Sequence, residues 1–442
     1  MSRDPSAALS ARGLAALVIQ RVLDEDAYVA AALSHALGKS ELSLRDRGLC
    51  TELVYGTMRT LPFLVRQLGT LGKIKQSDHI LLSHLLVAAY QLDFLDRIPA
   101  HAVLNEAVGA IRRVRGAQVA GFANAILRKL ATQPPSERTS LNDAILSSCP
   151  SWLKKRLSRD VGESEALALL VSAENPRPTL RFVKDAPVPE WVKTECSPVP
   201  HVERVFRFEA GGDPRNHIEY ERGAFSVQEL GAVLVGYALG ARPGERILDV
   251  CAGRGQKSFI AKEAVGPSGQ VLSTDLHEHK LLALRKEAAR LKVEVDTNQW
   301  DWTQDPPAAW QGAFDRVLVD APCSGVGTLR RRPEIIRRLT PDTPARLAAL
   351  QWEIVSRAAV AVRPGGTLLF ATCSVLREEG PDLAARLCAG GQFEPACPPS
   401  EADGVLSLGQ SGVSASTYLL PSRHNTDGYF LIRLKKAAPI TN

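Results

Sequence analysis

From Leu9 to about Leu130, apolar residues recur three and four positions apart. Leu14, Leu17, Val18, Val22 and Leu23 make one stripe. Leu49, Leu53, Val54, Met58 and Leu61 make a second, and Leu81, Leu82, Leu85, Leu86, Ala89 and Leu92 a third. This spacing puts each set on one face of a helix. Nothing in the segment alternates with period two, and β-branched residues such as Thr51 and Val87 stand alone, so roughly 130 residues of helical bundle are expected. Ile98-Pro99-Ala100-His101 ends one helix and begins the next, since proline suits a helix start. The least charged run, 80–92, contains Ser83, His84 and Gln91 and is shorter than a bilayer span. It predicts a buried helix.

The pattern changes after Leu130. Gln133-Pro134-Pro135-Ser136 and Ser147-Ser148-Cys149-Pro150 have the composition of linkers. A helical stretch is expected over 151–173. Pro176, Pro178, Pro187, Pro189, Pro198 and Pro200 then alternate with β-prone pieces such as 179–183, which predicts a small mixed subdomain. From about Phe225 the chain alternates strand with helix. Strands are expected at 246–250, 270–275, 314–320, 366–372 and 429–434, with helices at 279–291 and 345–362. Short, continuously apolar strands between helices predict a parallel α/β sheet covered on both faces. The expected division is 1–140 all-helical, 141–224 linker and small α+β subdomain, and 225–442 Rossmann-like α/β.

Composition narrows the class. A chain of 442 residues suits two or three domains. With 45% hydrophobic and 23% charged residues it is neither disordered, collagenous nor a coiled coil. The net charge of +6 is compatible with a polyanionic partner without requiring one. The 8 cysteines include no Cys-x-x-Cys pair, which argues against a disulfide scaffold and a structural zinc site. His35, His79, His84 and His101 show no ligand spacing either, so no metal is expected. Met1-Ser2-Arg3-Asp4-Pro5 lacks the apolar stretch of a signal peptide, and the expected setting is the cytoplasm, with no membrane partner and a monomeric state.

In an open parallel sheet, ligands bind at the carboxyl ends of the strands. The strand at 246–250 runs into Cys251-Ala252-Gly253-Arg254-Gly255-Gln256-Lys257-Ser258, whose small residues allow a tight turn close to a ligand. The next strand ends at Asp275, a carboxylate able to accept from both hydroxyls of a ribose. Asp301 closes a strand expected within Gln299-Trp300-Asp301-Trp302. A dinucleotide fingerprint would need glycine where Ser258 stands, and a P-loop fails at Gln256 and Cys251. An adenosine-bearing cofactor without a pyrophosphate, such as S-adenosylmethionine, fits better. The plain alternative is that Gly253 and Gly255 only make a strand–helix turn.

Two thiols share that rim. Asp320-Ala321-Pro322-Cys323-Ser324-Gly325 follows one strand, and Ala371-Thr372-Cys373-Ser374 follows another. A lone cysteine is usually a small core hydrophobe. Two at strand ends, each in a short polar loop, suit methylation of a pyrimidine carbon. Carbon 5 of cytosine is a poor nucleophile; a thiolate added to carbon 6 makes it enamine-like. Asp320 is placed to stabilise the adduct at the ring nitrogen, and a second thiol to assist its breakdown. Spacing alone does not say which cysteine attacks.

At these residues the sequence resembles the bacterial Sun-type rRNA cytosine-5 methyltransferases, which join a NusB-like helical domain to a methyltransferase domain. Asp320-Ala-Pro-Cys-Ser-Gly with Thr372-Cys-Ser carries the resemblance. So do Leu92-Asp-Phe-Leu-Asp-Arg-Ile-Pro-Ala-His-Ala-Val-Leu-Asn-Glu-Ala, Gly121-Phe-Ala-Asn-Ala-Ile-Leu-Arg-Lys-Leu and Thr426-Asp-Gly-Tyr-Phe. The resemblance implies that Cys373 is the nucleophile and Cys323 the releasing thiol. It also implies that Asp275, Asp301 and Asp320 flank S-adenosylmethionine above the 251–257 loop. The implied substrate is a cytosine of small-subunit rRNA. The loop departs from the family's usual Cys-Ala-Ala-Pro-Gly-Gly-Lys-Thr: Arg254 replaces the proline and Gln256 a glycine, while Gly253 restores flexibility and Lys257 remains. Gln228-Glu229 stands where the family often has Gln-Asp.

Arg330, Arg331 and Arg332, with Arg337 and Arg338, follow Cys323 closely and are candidates to hold RNA phosphates; the alternative is a solvated face paired with Glu334. Arg112, Arg113, Arg115, Arg128 and Lys129 form a second basic area, as readily a solvated face as an RNA contact. Trp300 and Trp302 are candidates for stacking or for the core. Two other readings stand beside the methyltransferase: a non-catalytic RNA-binding antitermination or ribosome-assembly factor, favoured by Arg254 and Gln256, and a nicotinamide oxidoreductase, disfavoured by the glycine pattern.

Overall fold

The computed structural model describes residues 9–134, 138–171, 177–397 and 416–438. Of the positions singled out above, Met1 to Pro5, Pro135, Ser136, Ala173 and Pro176 lie outside them. The chain gathers into two compact units. One holds the described residues up to Lys155, with Leu170, Val171 and Leu329–Arg338. The other holds Arg156–Leu169, Arg177–Thr328 and the described residues from Leu339 on.

In the first unit the helical stripes become α1 (Ala11–Glu25), α2 (Val29–Gly38), α3 (Leu44–Arg59), α4 (Leu61–Leu71), α5 (His79–Phe94), α6 (Ala100–Ala131) and α7 (Leu141–Ser148). Side chains of Ser10, Ser43, Asp78 and Ser140 accept from free amides of the first turns of α1, α3, α5 and α7. Helix α5 is apolar around most of its circumference because it is central, with every residue from Leu81 to Leu92 buried except the half-buried His84. Gly56 of α3 lies against Tyr90, whose ring would stand 2.0 Å from any Cβ there. Ser147 and Ser148, expected in a linker, instead finish α7: Ser148 Oγ accepts from the Phe63 amide at 3.1 Å, and Cys149 is buried. The single helix expected over 151–173 is two, α8 (Ser151–Val161) and α9 (Glu163–Val171), separated at Gly162 by a left-handed φ of +86°.

The second unit, which takes in most of α8 and α9, continues with an antiparallel sheet in the order β2-β3-β1-β4, built from β1 (Thr179–Phe182), β2 (Cys196–Pro198), β3 (Val205–Phe208) and β4 (Phe225–Val227). Short helices α10 (Trp191–Glu195) and α11 (Ile218–Glu221) accompany it, and Phe182, Phe208 and Phe225 fill its core. Helix α12 (Leu230–Ala238) leads into the large sheet. Its strands are β5 (Arg246–Asp249), β6 (Gln270–Asp275), β7 (Asp296–Gln299), β8 (Phe314–Asp320), β9 (Val362–Thr372), β10 (Phe393–Pro395), β11 (Ser416–Leu419) and β12 (Tyr429–Lys436). Helices α13 (Gln256–Val265), α14 (Glu278–Leu291), α15 (Thr343–Ala361) and α16 (Pro381–Ala389) lie between them in sequence.

Strand order is β10-β12-β9-β8-β5-β6-β7, with β11 on β12. The sheet is mixed, which corrects the all-parallel expectation. β7, β6, β5, β8 and β9 are parallel, whereas β12 runs antiparallel to β9, pairing Phe430 with Thr372 and Leu434 with Leu368. Six successive residues of β12 are buried, and a strand buried on both faces shows the same apolar run in either direction. The order reverses between β5 and β8, so ligands are expected over the carboxyl ends of these strands.

Candidate active site

β5 delivers its last residue, Asp249, into the interior, 1% exposed. Ser258 Oγ donates to Asp249 Oδ2 at 2.6 Å and so ties the first turn of α13 to the strand. Burial pushes the Asp249 carboxyl up to about 7, against the hydrogen bond from Ser258. Between strand and helix, Gly253 (φ +58°) and Gly255 (φ +82°) both take left-handed conformations. A Cβ at 255 would lie 2.5 Å from Leu284 Cγ, so only glycine fits; above Gly253 there is open space. Arg254 is exposed and Cys251 and Gln256 half-buried, with Gln256 Oε1 enclosed and without a partner. The Cys251 thiol is pushed up by burial and by Asp249, Asp275 and Asp320, which keeps it neutral.

Asp275, at the end of β6, accepts from the Gly253 amide at 3.1 Å and the His277 amide at 2.9 Å, with Lys280 at 3.2 Å. Asp301 lies beyond β7, which stops at Gln299, rather than closing a strand. The amide and hydroxyl of Thr303 donate to it at 2.8 and 2.7 Å and lower its pKa. Trp302 belongs to the core: it is 3% exposed, its Nε1 donates to Thr274 Oγ1 at 2.8 Å, and its ring stacks on Trp310. Trp300 is half-buried and meets Trp310 edge-on.

The reacting groups come from the next two strands. At the end of β8, Asp320 Oδ2 meets Lys257 Nζ at 2.5 Å. Burial pulls the Lys257 ammonium down, but Asp320 outweighs it and the net direction is up, so the lysine stays charged. Cys323 Sγ and Cys373 Sγ lie 3.1 Å apart. The Cys323 thiol is pushed well above the ordinary range by its contact with Cys373, then by burial, then by the negative charge of Glu379 and Asp320. Beneath Cys373, the Gly327 amide donates to the Cys373 carbonyl at 3.1 Å and the Gly428 amide to the Gly327 carbonyl at 2.7 Å. Glu229 caps α12 through the Ala232 amide and also accepts from the Asp427 amide at 2.9 Å.

The fold therefore brings Asp249, the 251–258 loop, Asp275, Asp320, Cys323 and Cys373 onto one rim of the sheet. Sequence reasoning misses four members of that rim: Glu379, Gln351 and the serines after the two cysteines, Ser324 and Ser374. The repeated Cys-Ser dipeptide was the available signal. Arg330 departs from the expectation of a phosphate contact. It is 6% exposed, and its carbonyl accepts from Arg59 Nη2 at 2.9 Å inside the helical unit. In the same unit Glu334 accepts from the Val29 amide, Arg337 donates to the Val22 carbonyl, and Arg338 pairs with Asp26. Arg331 is half-buried and Arg332 exposed, 5.9 Å from the Tyr28 ring centroid.

The loop fits an adenosylated sulfonium. Open space stands over Gly253, and carboxylates end β5 and β6 on either side of the loop's strand–helix turn. Fold and site together define a Rossmann-like methyltransferase preceded by a NusB-like helical domain. The family models agree: the 16S rRNA methyltransferase RsmB/F family matches residues 236–435 and the NusB family residues 9–132. Synechocystis has a probable ribosomal RNA small subunit methyltransferase B that is 31% identical, over 97% of this chain and 100% of the relative. A protein of the same description from Bacillus subtilis is 29% identical, over 97% and 99%. The crystal structure of PH0851 shares the fold, with a TM-score of 0.82 at 21% identity, covering 97% of this chain and 99% of that one. The chain belongs to the ribosomal RNA small subunit methyltransferase B family, whose members depend on S-adenosylmethionine.

Proposed function

We propose that this protein methylates carbon 5 of a cytosine in small-subunit rRNA through a transient bond between Cys373 Sγ and carbon 6 of the base. The observation that supports it is the pair of strand-end sulfurs, 3.1 Å apart, beside the Lys257–Asp320 pair and the glycine loop. Asp275 and Asp301 would hold the ribose and base of the cofactor, with residues 251–257 beneath it. Bound S-adenosylmethionine supplies the methyl group as an electrophile.

The Cys373 thiolate adds to carbon 6, the ring electrons move to nitrogen 3, and Asp320 with Lys257 delivers a proton there. Carbon 5, now enamine-like, would take the methyl group, with the thioether S-adenosylhomocysteine as the leaving group. A water held at Cys323, whose own thiol stays protonated, takes the proton from carbon 5 and passes it to solvent. The Cys373–carbon 6 bond breaks, the proton leaves nitrogen 3, and the aromatic ring returns. A paired base must first be unstacked to reach a thiol. Arg331 and Arg332 contribute phosphate contacts that position the RNA without reading its sequence. The protein works as a monomer in the cytoplasm.

The test is methyl transfer to rRNA with Cys373→Ala and Cys323→Ala. The first variant should be inactive. The second should accumulate a protein–RNA species that survives a denaturing gel. Full activity in Cys373→Ala would overturn the mechanism, and failure of the wild type to bind S-adenosylmethionine in calorimetry would leave a non-catalytic RNA-binding factor.

A further inference from the structure

Each of the two thiols is followed by a serine, and both serines end on one carboxylate. Glu379 sits in the turn between β9 and α16 and is 0% exposed. The Ser324 amide donates to Glu379 Oε1 at 2.7 Å and the Ser324 hydroxyl to Oε2 at 2.5 Å. The Ser374 hydroxyl donates to the same Oε2 at 2.6 Å. Gln351 Nε2, from α15, reaches Oε1 at 3.3 Å and also donates to the Pro322 carbonyl at 2.9 Å. The Thr372 hydroxyl turns to the Glu379 carbonyl at 3.3 Å.

One residue thus grips the loop after β8, the loop after β9 and the helix packed on both. An ionised carboxylate is expensive to bury unless every lone pair is used, and apolar residues fill such a space at less cost. Its partners bracket the two sulfurs, and all lie outside the 251–257 loop. We propose that Glu379 is a positioning residue: by clamping the serine after each cysteine it holds the two sulfurs at their working separation. The reaction it serves is the one proposed above, but the sulfur separation can be read without it. A misplacement of about 1 Å at reacting atoms lowers a rate on the order of 10²-fold.

The experiment uses the full chain in three forms, Glu379→Ala, Glu379→Gln and the double variant Ser324→Ala/Ser374→Ala. The first readout is disulfide formation between Cys323 and Cys373 with oxidised glutathione, followed by mass spectrometry. Two thiols give up two protons and two electrons, and the oxidant takes them up as two glutathione thiols. Glu379→Ala and the double serine variant should form the bond at about a tenth of the wild-type rate or below, as expected for a displaced pair. Glu379→Gln, which keeps the shape and one acceptor, should stay within about threefold of wild type. The second readout is single-turnover methyl transfer at saturating S-adenosylmethionine, expected to fall roughly 10²-fold in Glu379→Ala with cofactor affinity unchanged. If Glu379→Ala does not fold, the serine variant carries the test. Unchanged disulfide rates in the folded variants would overturn the proposal. Slowed disulfide formation in a protein whose wild type transfers no methyl group would overturn the proposed reaction and leave the clamp standing.

Discussion

Asp249→Asn should make the protein more resistant to alkaline loss of stability. The Asp249 carboxyl is 1% exposed, accepts one hydrogen bond from Ser258, and has no partner on Oδ1. Burial raises its pKa from 3.8 to about 7. A carboxyl raised in the folded state favours the protonated form, so its stabilising contribution is complete below 3.8 and is lost as pH rises through about 7. Two-state linkage with these values puts the cost of the carboxyl at about 2 kcal/mol at pH 5 and about 4 kcal/mol at pH 8, a difference of roughly 2–3 kcal/mol. Asparagine is neutral at both, and groups common to the two proteins cancel in the comparison. Of the 6 tryptophans, Trp191, Trp300, Trp302, Trp310 and Trp352 lie in the second unit, so their fluorescence follows its unfolding in urea. With a denaturant slope of roughly 2–3 kcal/mol/M, the wild-type midpoint should fall by about 1 M relative to Asp249→Asn between pH 5 and pH 8. Midpoints that move in parallel would refute the reasoning.

Three further outcomes follow from the geometry. Lys257→Met strands Asp320 in a partly buried site and removes the proton partner of the ring, so single-turnover methyl transfer should drop on the order of 10²-fold; a rate within twofold of wild type counts against the pair. Gly327→Ala places a Cβ 1.9 Å from the Gly428 carbonyl oxygen and 2.9 Å from that of Cys373. It should cost roughly 1–3 kcal/mol, seen as a lower melting temperature, and displace Cys373. Gly255→Ala meets both a left-handed φ and Leu284, and calorimetry should show S-adenosylmethionine affinity falling by at least about tenfold.

The central architecture was legible in the sequence because it rests on local rules. Helical spacing through α1 to α6 and apolar runs at β5, β6 and β8 set their own elements, and each strand ends in an acid or a cysteine that topology alone carries to one rim. What only the tertiary structure decided was who meets whom. Antiparallel β12 reads the same as a parallel strand because burial on both faces erases direction from its pattern. Ser147 and Ser148 look like linker until Phe63 supplies a partner, and Arg330 looks like a phosphate contact until the helical unit buries it. Glu379 shows nothing in sequence, since its meaning is a set of donors from Ser324, Gln351 and Ser374. A buried polar group is defined by its partners, and partners distant along the chain are assigned by folding.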